Sequence, residues 1–188
     1  MAGHSHWAQI KRKKEATDVK KGKIFTKYSK LITHAAREGG GDPNFNPTLA
    51  DAIRRAKSEN VPKETIEKAI GKGTGELEGV HFETRVYEGY GPAGEAYLIE
   101  VLTDSINRTV AELRFILSKN EGSLATSGSA AYIFGDNPEE PSFMIPIEDA
   151  KTAEKVLKLY DELEEHDDIQ QIYSNSEVSE SLLAQINS

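Results

Sequence analysis

Basic and aromatic side chains are concentrated near the start of the chain, in an order suited to contact with nucleic acid. Lysine and arginine neutralise phosphates, and imidazole and indole rings stack on unpaired bases. If six of the cations neutralise phosphates, log K is predicted to fall with log salt with a slope of roughly −4 to −5. The candidate binding residues are His4, His6, Trp7, Lys11, Arg12, Lys13, Lys14, Lys20, Lys21, Lys23 and Lys27, followed by Lys30 and by Arg54, Arg55 and Lys72.

The net charge of −8 hides a strong polarity along the chain. Residues 1–75 contain 16 lysines and arginines against 8 acidic residues, whereas residues 76–188 contain 7 against 23. A positive pole of this kind is the electrostatic footprint of a phosphate-binding surface, and the acidic pole limits indiscriminate coating of nucleic acid. Two solvated faces of different charge are the alternative interpretation.

Other chemistries fit the residue pattern less well. His4 and His6 would offer a metal only two ligands without a cysteine or a third histidine beside them, so no metal site is predicted. The acidic cluster Glu162, Glu164, Glu165, Asp167 and Asp168 is interpreted as solvated surface, because no apolar setting separates its pKa values for acid and base work. We therefore predict a protein without catalytic residues, cofactor or small-molecule substrate.

Two glycine-rich segments match nucleotide-binding loops only in part. Gly89–Gly94 fits the GxGxxG pattern but leads into a predicted strand, which favours a hairpin turn over a dinucleotide site. Gly71–Gly75 lacks the full Walker pattern and follows a predicted helix. We interpret this second segment as a break after the helix or an interdomain hinge, from which Lys72 could touch a phosphate.

Three helices are predicted to carry the basic residues. Apolar residues recur at helical spacing from about Thr17 to Arg37. Asn46 and Pro47 indicate the N-cap and first residue of a second helix, and Pro62 lies in the first turn of a third. Short helices must pack together to bury their apolar stripes, so we predict a basic three-helix bundle at residues 17–75 behind a flexible arm at residues 1–16.

An α+β domain is predicted at residues 80–175, which makes the fold class α + α/β with two domains. A hairpin of strands at residues 82–88 and 96–102 precedes a helix that ends near Lys119, and a short strand is expected at residues 130–134. After a polar linker at residues 135–142, a strand at 143–147, a helix at 148–165 and a strand at 169–173 complete a ββαβ-βαβ order of sheet and helices. Residues 176–188 are treated as a tail.

Composition also bears on the location of the protein. The sequence has no run of about 18 apolar residues and begins with polar and basic residues instead of an apolar signal segment. It contains no cysteine, which fits a reducing compartment. We expect a cytoplasmic protein without a membrane partner, and a monomer.

The chain resembles the YebC family, which includes the mitochondrial translational activator of cytochrome c oxidase. The resemblance runs through ordered segments of the whole sequence. The clearest of them are Ala2–Trp7, Lys20–Lys27, Gly39–Pro43 with Asn46–Pro47, Asn60–Lys63, Tyr87–Pro92, Asn107–Thr109, Ser118–Asn120 and Gly128–Ser129.

The resemblance implies a helical first domain, an α+β second domain and a non-catalytic role in gene expression. Family members are described as DNA-binding transcriptional regulators and as ribosome-associated translation factors that aid proline-rich sequences. We favour the translation factor, because an arm with histidine, tryptophan and lysine suits irregular ribosomal RNA better than a major groove. On this reading the RNA-facing residues are His4, His6, Trp7, Lys11 and Lys23, and the patch is extended by Lys20, Lys21, Lys27, Arg54 and Arg55.

One departure from the family concerns a third domain. Longer members carry an inserted α/β domain where this chain has only residues 135–142. We therefore expect a shortened form of the family, and a paralogue with altered or antagonistic function is an open alternative.

Overall fold

A computed structural model describes residues 18–77, 79 and 81–186, with side chains from Lys21 onward. The described residues form two compact units, one made of the residues up to Thr84 together with 102–105, the other of residues 85–101 and 106 onward. Helices come first and an antiparallel sheet with helices follows, so the predicted fold class is confirmed. The predicted flexible arm lies outside the described residues.

The first unit contains three helices, as predicted: α1 (Asp18–Gly39), α2 (Pro47–Ser58) and α3 (Lys63–Thr74). Their shared core is built largely from alanine around a few larger side chains, which lets the helix axes approach closely. Its most buried members are Ile32, Ala36, Leu49, Ala52, Ala56 and Ala69.

Asn46 fixes the turn between α1 and α2. Its side chain accepts the backbone N–H of Leu49 at 3.0 Å, which is the N-cap bond predicted from the sequence. The same side chain donates to the carbonyls of Ala35 and Gly40, each at 2.8 Å. One buried amide therefore satisfies backbone groups on both helices.

The predicted glycine-rich break at residues 71–75 is wrong, because α3 continues to Thr74. A Cβ on Gly73 would lie 2.5 Å from the carbonyl oxygen of Thr33 and 2.6 Å from the Cβ of Ala36. The hydroxyl of Thr33 also donates to the carbonyl of Ala69 at 3.1 Å. Glycine is present here so that α3 can pack against α1, and Lys72 belongs to the last helical turn instead of a loop.

Six strands and four helices of the described residues follow, and nearly all of their residues belong to the second unit. The strands are β1 (Glu83–Tyr90), β2 (Ala96–Thr103), β3 (Ser123–Leu124), β4 (Ile145–Ile147), β5 (Ile169–Ser174) and β6 (Ser176–Val178). The helices are α4 (Ile106–Lys119), α5 (Ala131–Phe134), α6 (Ala150–Glu164) and α7 (Glu180–Ile186).

β2 is an inner strand of the larger sheet, whose strand order is β3-β1-β2-β5. Tyr97, Ile99 and Val101 pack in one core with buried residues of α4 and α6. Ala96 and Leu98 belong to a second core with the residues of α5. Because both faces of β2 are covered, its sequence is apolar almost throughout instead of alternating.

The strand predicted at residues 130–134 is wrong: this segment is the short helix α5, and the strand of the sheet comes earlier, at β3. A run of five apolar residues has no periodicity that separates helix from strand. The backbone N–H groups of Ala130 and Ala131 are instead held by the carboxylate of Glu88, which fixes the start of the helix.

The segment treated as a tail is part of the second unit. β6 pairs in parallel with β4 in a separate two-stranded sheet. Leu182 and Leu183 of α7 are buried in one core with Val156 of α6 and Ile147 of β4. Within the described ranges, no helix has the length and apolar character needed to cross a bilayer.

Candidate nucleic-acid interface

The basic residues of α1 lie on the side of the helix opposite its buried face. Lys23, Lys27 and Lys30 are spaced four and three residues apart, and His34 and Arg37 continue the same spacing. We call these five residues the α1 basic stripe. All five are half-exposed, whereas Ile32, Ala35 and Ala36 across the helix are buried. At 1.5 Å per residue the stripe extends over about 21 Å of helix.

Two members of the stripe were not among the predicted binding residues. His34 and Arg37 were read only as part of the apolar-periodic segment, although they continue the three- and four-residue spacing of the lysines. Projecting the lysines of a predicted amphipathic helix onto its polar face would have found them. Lys21 is exposed but points away from the stripe by the same geometry.

The remaining predicted cations of this unit lie on the other two helices. Arg54 and Arg55 are exposed on α2, and Lys72 is exposed in the last turn of α3. Arg54 forms an ion pair with Asp51, and both side chains are largely solvated. An exposed ion pair is worth little, so Arg54 can exchange its carboxylate for a phosphate at small cost.

Eight predicted binding residues receive no structural test. Lys20 lies in α1, but its side chain is outside the described ones. The other seven lie wholly outside the described residues: His4, His6, Trp7, Lys11, Arg12, Lys13 and Lys14.

The GxGxxG segment forms the turn of the β1–β2 hairpin, as predicted. Gly94 adopts a φ of 80°, and the N–H of Gly91 donates to the carbonyl of Glu95 at 2.8 Å. The Glu95 carboxylate accepts the N–H of Ala93 at 2.8 Å and the hydroxyl of Tyr97 at 3.1 Å. The turn is thus filled by its own glutamate, and burial raises the pKa of that carboxyl.

The interpretation of Asp168 as solvated surface is wrong. Asp168 is 2% exposed, and its Oδ2 accepts hydrogen bonds from Arg108 at 2.8 Å and Thr109 at 2.7 Å. Together with Glu112 and His166 it forms a trio close enough to hold a metal ion. Yet Nδ1 of His166 accepts the N–H of Asp168, and Nε2 lies 2.9 Å from Glu112. Both ring nitrogens are engaged, so the trio is better explained as a hydrogen-bond network.

Comparison with known proteins identifies the class of this fold. The model of the TACO1/YebC protein N-terminal domain matches residues 5–76, and that of the TACO1/YebC second and third domain matches residues 82–138. The chain belongs to the TACO1/YebC family.

Individual relatives agree with this assignment. A probable transcriptional regulatory protein of Halothermothrix orenii is 41% identical, with 99% of each chain covered. A protein of the same description from Chlorobium chlorochromatii is 43% identical over 97% of this chain and 98% of its own. The crystal structure of a conserved hypothetical protein from Aquifex aeolicus superposes with a TM-score of 0.82 at 35% identity, over 93% of this chain and 98% of that one.

The relatives are longer than this chain. The match to the Halothermothrix orenii protein extends over 250 positions, whereas the chain has 188 residues, so at least 62 positions have no counterpart here. This difference agrees with a shortened form of the family.

Proposed function

We propose that this protein is a non-enzymatic, cytoplasmic regulator of gene expression that binds nucleic acid, and that it acts as an RNA-binding translation factor on the ribosome. In this role it aids the synthesis of difficult, proline-rich sequences. The α1 basic stripe is the observation that carries the proposal. Membership of the TACO1/YebC family supports it independently of the charge argument.

The composition of the stripe favours phosphate contacts over base reading. Lysine acts as a point charge toward phosphate, and contacts of this kind position a protein without specifying sequence. The arm then supplies the remaining contacts, with His4, His6 and Trp7 stacking on splayed bases and Lys11–Lys14 neutralising phosphates. Such a combination suits ribosomal RNA, in which unpaired bases are accessible.

A DNA-binding transcriptional regulator is the second candidate, because the relatives are described as probable transcriptional regulatory proteins. Arg54 and Arg55 on α2 would then join the stripe on a DNA backbone. This function requires a specificity ratio well above non-specific binding, usually about 10³ or more.

Ribosome co-sedimentation at moderate salt tests the first proposal. We compare the wild type with Lys23→Glu/Lys27→Glu/Lys30→Glu. The matched control is Lys57→Glu/Lys63→Glu/Lys68→Glu, which reverses the same number of exposed charges elsewhere in the helical unit. We expect the stripe variant to be absent from the ribosomal pellet and the control variant to co-sediment with ribosomes as the wild type does.

Two results would count against the translation role. A wild type that does not co-sediment with ribosomes would contradict it directly. Equal loss in both variants would mean that net charge and not the stripe governs binding. A parallel titration on random duplex DNA completes the experiment, since comparable salt-sensitive affinity for both ligands would give the transcriptional role equal standing.

A further inference from the structure

The solvent-facing side of α4 contains an open, shallow groove in the acidic part of the chain. It has a volume of about 560 Å³ and is lined by Ala111, Arg114, Phe115, Ser118 and Lys119. Phe115 is 68% exposed, so most of its ring is available for contact. Residues 111, 114, 115 and 118 are three or four positions apart, which places them on one face of the helix.

The charges of this groove differ from those of its surroundings. Residues 76–188 contain 23 acidic residues against 7 basic ones, yet no acidic residue lines the groove. The guanidinium of Arg114 has no ion pair or hydrogen bond with the residues that the structure describes. Lys119 lies 3.1 Å from Glu162 and is about half exposed, a weak pairing that a phosphate can replace.

We propose that the α4 groove binds single-stranded RNA, with one base stacked on Phe115 and the adjoining phosphates held by Arg114 and Lys119. An exposed aromatic ring flanked by cations is the arrangement that single-strand binding proteins use, because every base has a face that can stack. The proposal rests on the RNA-binding function proposed above and adds a contact in the second unit.

The residues that line the groove favour a base over a protein segment. An amphipathic helix needs several apolar anchors along a groove, and only Ala111 and Phe115 are apolar here. The carboxylates of an acidic peptide would pair with the two cations, but they have no flat apolar face to stack on the Phe115 ring. A single base covers one ring and brings its phosphates to the cations beside it.

Photocrosslinking locates the contact directly. The full-length protein is irradiated with a short oligoribonucleotide containing 4-thiouridine, digested with trypsin and analysed by mass spectrometry. We expect a nucleotide adduct on the peptide 115–119. Crosslinks confined to the helical unit would overturn the proposal and leave the RNA-binding function intact, whereas no crosslink anywhere would contradict both.

Affinity measurements test the role of the ring. By fluorescence anisotropy, Phe115→Ala is expected to weaken oligoribonucleotide binding about tenfold, as loss of one stacked base would do. Phe115→Tyr should keep the wild-type affinity, because it keeps an aromatic face. Arg114→Gln should make the slope of log K against log salt shallower by about one. Tyr132→Ala is the matched control, since Tyr132 is 69% exposed in the same unit.

Three results would overturn the groove proposal. Wild-type affinity in Phe115→Ala would exclude stacking, and an equal loss in Tyr132→Ala would show that the effect is not specific to the groove. If Phe115→Ala and Arg114→Gln lose binding to a polyglutamate peptide but bind RNA as the wild type does, the groove binds an acidic protein segment. In each case the stripe variant still reports separately on the proposed function.

Discussion

Glu88 organises the loop that leads from β3 into α5. The carboxylate is 6% exposed and accepts the backbone N–H of Gly128 at 2.7 Å and that of Ala131 at 2.9 Å, with a further bond from Ala130. Burial raises the pKa of this carboxyl, but the hydrogen bonds from these backbone N–H groups outweigh burial and leave the pKa below its ordinary value of 4.5. Concave backbone of this kind usually binds external anions, and here a side chain of the chain itself fills it.

Replacing this carboxylate tests its contribution to stability. Glu88→Gln is expected to lower the free energy of unfolding at neutral pH by about 2 kcal/mol, because the amide nitrogen faces donors that need an acceptor. A carboxyl with a lowered pKa in the folded state stabilises above its unfolded pKa, and this contribution is lost as pH falls through the folded value. The difference between wild type and variant should therefore shrink below about pH 4.5 in urea unfolding.

The control for this experiment is Glu140→Gln, which changes an exposed glutamate of the same unit. We expect it to shift the free energy of unfolding by less than about 0.5 kcal/mol at every pH. A Glu88→Gln effect that does not depend on pH would show that packing and not ionisation accounts for the loss.

At the residue scale, the sequence predicted hydrogen bonds whose two residues are close along the chain. The Asn46 cap was predictable because the N–H that its side chain accepts is only three residues away, at Leu49. Glu88 bonds to residues 40 to 43 positions away, and Arg108 meets Asp168 across 60 positions. Contacts of that kind depend on strand order and register, which local patterns do not specify.

At the scale of elements, the contact between α1 and α3 depends on the absence of a side chain at Gly73. We predict that Gly73→Ala lowers the free energy of unfolding by about 2 kcal/mol or more, because the added methyl meets backbone and a short side chain that cannot move away. Thermal unfolding followed by helical circular dichroism measures the change.

Gly22 provides the opposite case in the same unit. It lies within α1, and a Cβ there would meet no described atom within 4 Å. Gly22→Ala should therefore stabilise the protein by about 0.5 to 1 kcal/mol through helix propensity alone. Equal effects of the two substitutions would contradict close packing as the reason for Gly73.

The end of the third helix was predicted wrongly because its glycines were interpreted as helix breakers and not as packing residues. The glycines at 71 and 73 suggested a break, but both are buried within α3. Glycine costs a helix about 1 kcal/mol relative to alanine, and close approach of a neighbouring helix can offset that cost. Three-helix organisation was predictable nonetheless, because caps and apolar spacing agreed for each helix.

At the scale of the whole molecule, charge polarity should govern how binding responds to salt. The wild type is expected to lose affinity for RNA with a log–log slope of roughly −4 to −5 if six phosphates are neutralised. The stripe variant Lys23→Glu/Lys27→Glu/Lys30→Glu should have a slope shallower by about 2 to 3. Anisotropy titrations between about 50 and 200 mM KCl measure both, and identical slopes would contradict a direct role for the stripe.

The segment between α5 and β4 is closed by its own hydrogen bonds. The N–H of Ser142 donates to the carbonyl of Ile133 at 2.7 Å, and the N–H of Ile145 donates to the carbonyl of Asn175 at 2.7 Å. The two ends of the segment are therefore anchored on the second unit independently of what connects them. The exposed residues 136 and 137 are therefore a suitable insertion site for protein engineering. A fluorescent reporter joined there through flexible linkers would tag the molecule internally, far along the sequence from the basic arm.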